Sequence, residues 1–427
     1  MRSTEETGKE ETMTTPKRIL ILHASCGAGH ARAAQAVEQA LAALRPELGA
    51  AAPEVRVVDA LDCTSPRFRK LYVGVYEKSV KDAPWAYGAG YTLASAAARL
   101  SPFRTLRRTF NRFAARRLGR LVEEMRPDVV LCTHFLPLDF LGRWKARGKL
   151  RGTTLACVVT DYVAHGFWAE PRADRYYVPS PEVARELARR GVRPGRVLVT
   201  GIPVDAAFAE AAADPRAAEP PATPRGDLED RRRALDLRSG ADRRTVLVLG
   251  GGLGMGPVAA VVRSIAAEAA PGLDLEVTAV CGKNEALRLE LEAIAATLPV
   301  PVRVLGFTRE VPALMAAADI VVTKPGGLTT TEALAIGRPL VLYTAMPGQE
   351  EGNALYLARA GAAVCAEPPG GDPEAPEVGP VVRALLADAP RLERLAAAAR
   401  ALSRPHAARA IARDVAAVAE PRLAPAA

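Results

Sequence analysis

The sequence predicts an α/β protein built from two Rossmann-like domains, each with a parallel sheet covered by helices. Strand-like and helix-like segments alternate along the 427 residues, a pattern typical of parallel sheets. Both halves begin with an apolar strand, a glycine-rich turn and a helix. Two cores fit comfortably in a chain of this length. A stretch without apolar periodicity, from Ala206 to Arg244, separates the two halves.

The first half, residues 17–205, begins with a strand at Arg18–His23 and a helix at Ala31–Leu44. Its further predicted strands are Val55–Asp59, Val129–Thr133, Leu155–Thr160, Arg175–Val178 and Val197–Thr200. Residues 66–126 form a predicted helical insertion rich in aromatic side chains. Residues 1–16 are polar and are expected to be a disordered tail, and their composition is not that of a signal peptide.

The second half, residues 244–378, follows a linker at 206–243 that is expected to be partly disordered. Its predicted strands are Thr245–Leu249, Leu275–Cys281, Val302–Leu305, Ile320–Thr323 and Leu340–Tyr343. A short helix, Glu332–Ile336, is predicted between the last two strands. Residues 379–427 are alanine-rich and are expected to form helices.

Composition narrows the class of protein. A hydrophobic content of 49% with 25% charged residues is that of a soluble globular protein. The six cysteines are scattered without a CxxC pair, which predicts reduced core thiols in a cytosolic protein. The five histidines match no zinc-binding pattern. A membrane span is not expected, because a run of about 18 apolar residues is missing.

The most informative motif runs from Thr323 to Glu332, where a strand enters a Pro-Gly-Gly turn that opens a helix. Glycines let the backbone approach a ligand, and free N–H groups at a helix start bind anions such as a diphosphate. An ionised glutamate can accept two sugar hydroxyls. An ordinary capped turn explains the glycine and one threonine. It does not explain why Gln349, Glu350 and Asn353 follow the end of the next strand.

A second glycine-rich loop, Gly250–Gly256, follows a strong strand as a phosphate-binding loop does. It fits neither GxGxxG in strict register nor the P-loop pattern, and the next strand ends without an acid that would hold a ribose. A nicotinamide cofactor is therefore disfavoured in this half. Backbone N–H groups of the loop suit a diphosphate.

These motifs resemble the glycosyltransferase 28 type of GT-B glycosyltransferases. The run Ser25–Ala34 is similar to that of monogalactosyldiacylglycerol synthases and bacterial processive diacylglycerol glucosyltransferases. The resemblance extends from about Arg18 to Ala366. It implies two domains facing each other across a cleft, with C-terminal helices that cross back to the first domain.

The resemblance further implies inverting transfer of a hexose from a UDP-sugar to diacylglycerol or a similar membrane lipid. Glu332 would bind the ribose, and Phe307 with Thr308 would meet the uracil, although a plain loop also explains Phe307. No metal or other cofactor is expected, because helix dipoles and backbone donors can stabilise the departing diphosphate. The predicted donor-binding residues are Gly251, Gly252, Gly254, Phe307, Thr308, Gly326, Gly327, Leu328, Thr329, Thr330, Glu332, Gln349, Glu350 and Asn353.

The acceptor half of the predicted site centres on His30, which follows Gly29 at a helix start. A neutral imidazole in this position suits a general base near neutral pH. His134 and Asp161 lie in loops at the ends of two other strands, where open α/β sheets bind ligands. Asp161 can orient an imidazole or act as the base itself, and loop capping is an equal alternative for both residues. Whether His30 is the base or positions the acceptor stays open.

The net charge of +9 is uneven, since Phe103–Arg120 holds seven arginines and no acid. Read as a helix, this segment has an apolar face flanked by cations, the pattern of an interfacial membrane helix. The predicted membrane residues are Phe103, Arg107, Arg108, Phe110, Arg112, Phe113 and Arg116. A solvated basic surface is the alternative. The expected location is cytoplasmic, on the inner face of the cell membrane, with no nucleic-acid partner.

Two alternatives to this function remain at the level of sequence. One is a related UDP-sugar transferase acting on a polyprenyl-linked acceptor. The other is an NAD-dependent Rossmann enzyme, supported by Gly27-x-Gly29 and by Asp59 at the end of the second strand. Arg32 occupies the place of the third fingerprint glycine, which counts against that enzyme. The sequence does not choose among glucose, galactose and N-acetylglucosamine donors.

Overall fold

The structure, a computed structural model, contains two parallel six-stranded sheets. It describes residues 16–25, 27–72, 74, 116–213, 235, 243–343, 348–366 and 377–418. The two-domain α/β architecture predicted from alternating strands and helices is confirmed. The predicted N-terminal tail and most of the predicted linker and helical insertion lie outside the described residues.

The first sheet has the strand order β2-β1-β3-β4-β5-β6, with every pair parallel. Its strands are β1 Arg18–His23, β2 Glu54–Asp59, β3 Val129–Cys132, β4 Thr154–Val158, β5 Arg175–Val178 and β6 Val197–Val199. Its helices are α1 Gly29–Ala43, α2 Arg45–Leu48, α3 Arg116–Met125, α4 Phe135–Ala146 and α5 Pro181–Arg189.

The second sheet has the order β12-β11-β10-β7-β8-β9, again with parallel pairs. Its strands are β7 Arg244–Leu249, β8 Leu275–Val280, β9 Val302–Leu305, β10 Ile320–Thr323, β11 Leu340–Leu342 and β12 Ala363–Cys365. The helices that follow the first domain are α6 Ala206–Ala213, α7 Val258–Ala267, α8 Glu285–Ala295, α9 Val311–Ala317, α10 Gly327–Ile336, α11 Gln349–Arg359, α12 Val378–Leu386, α13 Ala389–Leu402 and α14 Ala407–Val418.

Each sheet reverses its winding direction at one pair of central strands. In the first sheet β1 lies between β2 and β3, and in the second β7 lies between β10 and β8. Open parallel sheets bind ligands beyond the carboxyl ends of the strands at such a switch point. The turns after β1 and β3, and those after β7 and β10, are therefore the places where a site is expected.

Helix α10 is longer than the sequence predicted. It begins at Gly327 rather than at Glu332, because all three threonines of the motif, Thr329, Thr330 and Thr331, belong to its first turns. The Thr330 hydroxyl donates to the Gly326 carbonyl (2.9 Å), and the Thr331 hydroxyl donates to the Gly327 carbonyl (2.6 Å). The glycine turn and the helix start are thus one continuous unit.

Three local predictions differ from the structure. The stretch predicted to be a linker starts with helix α6, because Phe208 is buried against the core of the second domain. A twelfth strand, β12, was not predicted and pairs with β11. Of the predicted core thiols, Cys365 is exposed, whereas Cys132 and Cys157 are buried. Cys26 lies outside the described residues.

The last described helix, α14, packs on the first domain. Its Ile411 and Val415 share a buried cluster with Ile19 of β1. Asp414 accepts hydrogen bonds from the Arg175 guanidinium (2.7 and 2.9 Å) and from the Tyr177 hydroxyl (2.7 Å). Helix α14 therefore covers part of one face of the first sheet, beside α1.

The predicted membrane segment falls largely outside the described residues. Arg116 is an exception and lies exposed at the start of α3. The remaining residues of that prediction, outside the described part, are Phe103, Arg107, Arg108, Phe110, Arg112 and Phe113. No helix in the described ranges combines the length and apolar character needed to cross a bilayer.

Candidate active site

A cavity of about 110 Å³ lies between the two domains, where the switch points of both sheets face each other. From the first domain it is lined by Gly27, Ala28, Gly29, His30, Arg32, Thr160 and Asp161. From the second domain it is lined by Gly250, Gly251, Gly252, Leu253, Met255, Lys324, Gly326, Gly327, Leu328, Thr329, Gln349 and Glu350. Segments distant in the sequence thus line one site in the cleft between the domains.

The domains are closely apposed around this cavity. A Cβ atom on Gly327 would stand 2.0 Å from the Thr160 carbonyl oxygen, and one on Gly252 would stand 2.7 Å from the Cβ of Ala28. Sites for drug-sized ligands usually enclose roughly 300–1,000 Å³. A nucleotide sugar therefore does not fit wholly inside this cavity in the present arrangement of the domains.

The glycine loop after β7 forms a tight turn that needs glycine at two positions. Gly251 and Gly254 have positive φ angles of 71° and 59°. A Cβ on Gly254 would also stand 2.1 Å from the carbonyl oxygen of Cys281. Gly251 and Gly252 face the cavity as predicted, whereas Gly254 packs against the end of β8.

Lys324 and Glu350 form an ion pair in the cavity wall, with 2.7 Å between Nζ and Oε1. Glu350 is only 4% exposed, and the ammonium compensates part of the cost of burying its charge. Sequence reasoning assigned Glu350 to the donor site but gave Lys324 no role. Gln349 also lines the cavity at the start of α11.

Glu332 lies behind the cavity wall and is 2% exposed. Its Oε1 forms an ion pair with Arg32 of α1, across the domain boundary. Its Oε2 is buried and has no hydrogen-bond partner among the described residues. Burial raises the pKa of Glu332 to about 7, against the opposing effect of the Arg32 charge. The geometry leaves one carboxylate oxygen to accept a further hydrogen bond.

Asn353 connects the two domains instead of facing the cavity. It is fully buried, and its Oδ1 accepts from the Tyr162 N–H (2.7 Å). Its Nδ2 donates to the Pro325 carbonyl (3.1 Å) and to Asp161 Oδ1 (3.3 Å). This arrangement differs from the predicted contact with a sugar hydroxyl, because the amide is already used inside the protein.

Asp161 borders the cavity at the end of β4 and is almost completely buried. Burial raises its pKa to about 6, while the hydrogen bond from Asn353 opposes the shift and the charge of Glu350 adds to it. The neighbouring Tyr162 stacks on Tyr356 of the second domain, with 4.9 Å between ring centroids. Its hydroxyl lies 2.8 Å from the Thr331 hydroxyl oxygen. The loop after β4 is therefore a major contact between the domains.

His30 lies where helix α1 begins and lines the cavity. Its Nδ1 is 2.8 Å from the carbonyl oxygen of Thr133 and 3.0 Å from the hydroxyl oxygen of Thr160. Burial lowers its pKa to about 4, so the ring is neutral near pH 7. A carbonyl can only accept, which places the proton on Nδ1 and leaves the Nε2 lone pair available.

His134 is a helix cap rather than a cavity residue. Its Nδ1 accepts the Leu136 N–H (3.0 Å) at the start of α4, and the side chain is 2% exposed. Its ring meets that of His30 edge-on, with 4.5 Å between centroids. Burial holds the pKa of His134 well below its ordinary value, and the nearby His30 adds to the shift. In the structure His134 therefore caps α4, and its ring contacts that of His30.

The predicted uracil residues, Phe307 and Thr308, do not line the cavity. Phe307 follows β9 at the edge of the second sheet and is 65% exposed, with the Lys283 ammonium 5.8 Å from its ring centroid. The Thr308 hydroxyl accepts the N–H of Glu310 (3.1 Å). In the predicted turn, Leu328 and Thr329 line the cavity with the glycines, whereas the fully buried Thr330 bonds to its own helix.

The Asp59 carboxylate, which supported an NAD-binding interpretation, accepts hydrogen bonds from backbone N–H groups. Asp59 Oδ1 accepts the N–H groups of Leu61 (2.9 Å) and Ser25 (3.3 Å). Within the described ranges, no cluster of three or more His, Cys, Asp or Glu side chains has an arrangement that could hold a metal ion.

The charged groups that sequence reasoning missed are Lys324 and Arg32. Lys324 was inside the motif, but its partner could not be identified from the sequence.

Family comparisons divide the chain at the same place as the fold. A family model described as monogalactosyldiacylglycerol (MGDG) synthase matches residues 30–204, and the glycosyltransferase family 28 C-terminal domain matches residues 245–407. A processive diacylglycerol beta-glucosyltransferase of Bacillus licheniformis is 30% identical over 82% of this chain and 84% of that protein. One from Bacillus subtilis is 29% identical over 90% of both proteins.

Solved structures support the same architecture. The crystal structure of MurG from Acinetobacter baumannii matches with a TM-score of 0.58 at 17% identity, covering 94% of this chain and 99% of that chain. Anabaena HepE in complex with UDP matches with a TM-score of 0.52 at 16% identity, covering 94% of this chain and all of that chain (100%). At these identities the likeness shows the fold alone.

Proposed function

This chain belongs to the glycosyltransferase family that contains the monogalactosyldiacylglycerol synthases and the processive diacylglycerol glucosyltransferases, and we propose that it moves a hexose from a UDP-sugar to the hydroxyl of diacylglycerol. The observation that carries the proposal is the neutral His30 imidazole in the same cavity as the glycine turn at Gly326 and Gly327. A base and an anion-binding turn are the two parts that this transfer requires.

In the proposed reaction the diacylglycerol oxygen attacks the anomeric carbon while the bond from that carbon to the β-phosphate oxygen of UDP breaks. The hydroxyl proton passes to Nε2 of His30, and UDP departs with the bonding electrons. The carbonyl of Thr133 holds the other ring nitrogen and stabilises the imidazolium that forms. Attack opposite the leaving group gives inversion and a β-glycoside from an α-linked donor.

The donor is proposed to bind mainly to the second domain. N–H groups of the glycine turn and of α10 would receive the diphosphate, with the helix dipole favouring its negative charge. The free Oε2 of Glu332 would accept a ribose hydroxyl once the domains open and close around the nucleotide. Glu350 and Gln349 would face the sugar, and Phe307 would meet the uracil at the outer edge of the sheet.

A polyprenyl-linked acceptor is the alternative. Similarity to the diacylglycerol enzymes at 30% identity over most of the chain favours diacylglycerol, whereas the match to MurG concerns only the fold. Both acceptors are lipids, so both agree with a protein that works at a membrane surface. The identity of the hexose is a matter for the assay.

The test is transfer of radiolabel from UDP-glucose, UDP-galactose and UDP-N-acetylglucosamine to diacylglycerol in mixed micelles, with products separated by chromatography. We expect a labelled glycolipid from at least one UDP-hexose and none without diacylglycerol. A polyprenyl phosphate-linked sugar is the competing acceptor. Labelling of that acceptor alone, or no lipid product from any UDP-sugar, would contradict the proposal.

We also propose that the segment Phe103–Arg120 holds the enzyme on an anionic membrane face. Its seven arginines would each contribute about 1 kcal/mol near anionic lipid. Vesicle sedimentation at low and high salt would compare the wild type with a variant in which Arg104, Arg107, Arg108 and Arg112 are changed to Gln. Equal binding to neutral and anionic vesicles, or no loss in the variant, would return this segment to an ordinary basic surface.

A further inference from the structure

We propose that Lys324 is the cation that receives the β-phosphate of the donor, and that it leaves Glu350 to do so. This inference rests on the proposed function and adds a residue and an exchange of partners to it. Charge develops on the β-phosphate oxygen as the glycosidic bond breaks. A cation already in position at that oxygen lowers the barrier more than one that must move in from water.

The position of Lys324 fits this role. The residue comes directly after β10, at the switch point of the second sheet, and Pro325 restricts its backbone to extended conformations. Its side chain packs near the other glycine loop, since a Cβ on Gly251 would stand 3.5 Å from Lys324 Cε. The ammonium group is therefore held beside both segments that are predicted to bind the diphosphate.

The ion pair with Glu350 explains why Lys324 can change partners when a diphosphate binds. Glu350 is 4% exposed and receives the ammonium at 2.7 Å, so each charge is compensated while the two remain paired. A diphosphate in the cavity offers Lys324 a stronger anionic partner. Glu350 Oε1 then no longer receives the Lys324 ammonium, and a hexose hydroxyl can donate to that oxygen instead.

Arg32 also lines the cavity, but its charge is paired with Glu332. Arg32 forms the ion pair with Glu332, which the proposed function reserves for the ribose. Lys324 therefore has the more direct access to the β-phosphate. An ammonium binds phosphate as a point charge and needs no fixed geometry, which suits a group that changes partners.

The experiment measures the affinity of the full-length protein for uridine, UMP and UDP by calorimetry, in the wild type and in Lys324→Met. We expect UDP binding to weaken roughly tenfold to a hundredfold, the scale of a lost charge-assisted hydrogen bond. Binding of uridine and UMP should change by less than about threefold, because neither carries the β-phosphate. The ratio of UDP to UMP affinity is the decisive quantity.

The matched control is Lys145→Met. Lys145 pairs with Asp174 in the first domain, and its side chain is 23% exposed, against 20% for Lys324. Lys145→Met should leave the affinities for uridine, UMP and UDP unchanged.

Lys324→Arg keeps the charge and should preserve most of the ratio of UDP to UMP affinity. Glu350→Gln should keep UDP binding but lose the additional affinity that the hexose gives to UDP-hexose.

The outcomes separate the two proposals. An equal loss for uridine, UMP and UDP in Lys324→Met means that the lysine only supports the fold, and an unchanged ratio also overturns the inference. If Lys324→Met does not fold, as judged by circular dichroism, Lys324→Gln is measured in the same way. A wild type that binds no uridine nucleotide and transfers no hexose refutes the proposed function itself.

Discussion

The first-domain wall of the cleft presents a histidine, a threonine and an aspartic acid, whereas the second-domain wall presents glycine backbone and the pair Lys324–Glu350. On the first wall, burial keeps His30 neutral near pH 7. On the second wall, charges are compensated in pairs and N–H groups at the start of α10 are available. One wall suits a neutral hydroxyl that must lose a proton, and the other suits a polyanion that must depart.

The largest expected effect separates catalysis from donor binding. His30→Ala should lower the rate of transfer by roughly 10²–10⁴-fold, the usual contribution of a general base, and leave UDP affinity nearly unchanged. Initial rates with labelled UDP-hexose measure the loss of transfer, and calorimetry with UDP measures the affinity. His406→Ala changes an exposed histidine and serves as the control. Loss of UDP affinity with retained turnover would reverse the assignment of the two walls.

A second prediction concerns closure of the two walls. Ala is compatible with the helical start of α10, but in Gly327→Ala its Cβ would collide with the Thr160 carbonyl oxygen. Transfer should fall about a hundredfold, as misplacement by about 1 Å does, while UDP binding to the second domain changes little. In Gly352→Ala the clash is with the side chain of Val163, which can shift. An equal effect of both substitutions would contradict the importance of the backbone contact.

A third prediction concerns Glu332 and the donor. Glu332→Ala should weaken UDP binding by roughly 1.5–3 kcal/mol, the cost of losing a charge-assisted hydrogen bond. The assay is calorimetry with UDP at pH 8, where the carboxyl group is ionised. Arg32→Met should have a smaller effect in the same assay, because it leaves Oε2 in place. Unchanged UDP affinity in Glu332→Ala would remove this residue from the donor site.

The smallest expected effect is on stability. The pKa of Glu332 is raised from 4.5 to about 7, so the folded state holds the proton more tightly than the unfolded chain does. Ionisation therefore costs stability as the pH rises from 4.5, and the full cost is reached above pH 7. Glu332→Gln cannot ionise and should raise the melting temperature by a few degrees at pH 8 and by less at pH 5. The same gain at both pH values would show that the carboxyl group is not perturbed by burial.

Much of the fold and part of the site could be predicted from the sequence. Alternating strands and helices identified two parallel sheets, and the turns at Gly29 and Gly326 located the cavity because strand ends determine where open sheets bind ligands. Most of the predicted glycines of the second wall line the cavity for the same reason, since their position depends on local backbone geometry.

Contacts between distant segments could not be predicted. Arg32 and Glu332 meet only because the domains close against each other, and the same closure uses the amide of Asn353 inside the protein. Burial of Phe208 depends on a core formed by later residues, so its helix lacked a local signal. Spacing along the chain identifies single turns, whereas the partner of a charged side chain depends on tertiary packing.

The position of helix α14 late in the sequence has a consequence for the first domain during synthesis of the chain. The first sheet and α1 leave the ribosome early, but the helix that covers Ile19 and pairs with Arg175 is translated after the whole second domain. At about 5–20 residues per second, the part of this apolar face that α14 covers stays open for about 10–40 seconds. During synthesis, that face is where a chaperone or a neighbouring nascent chain can bind.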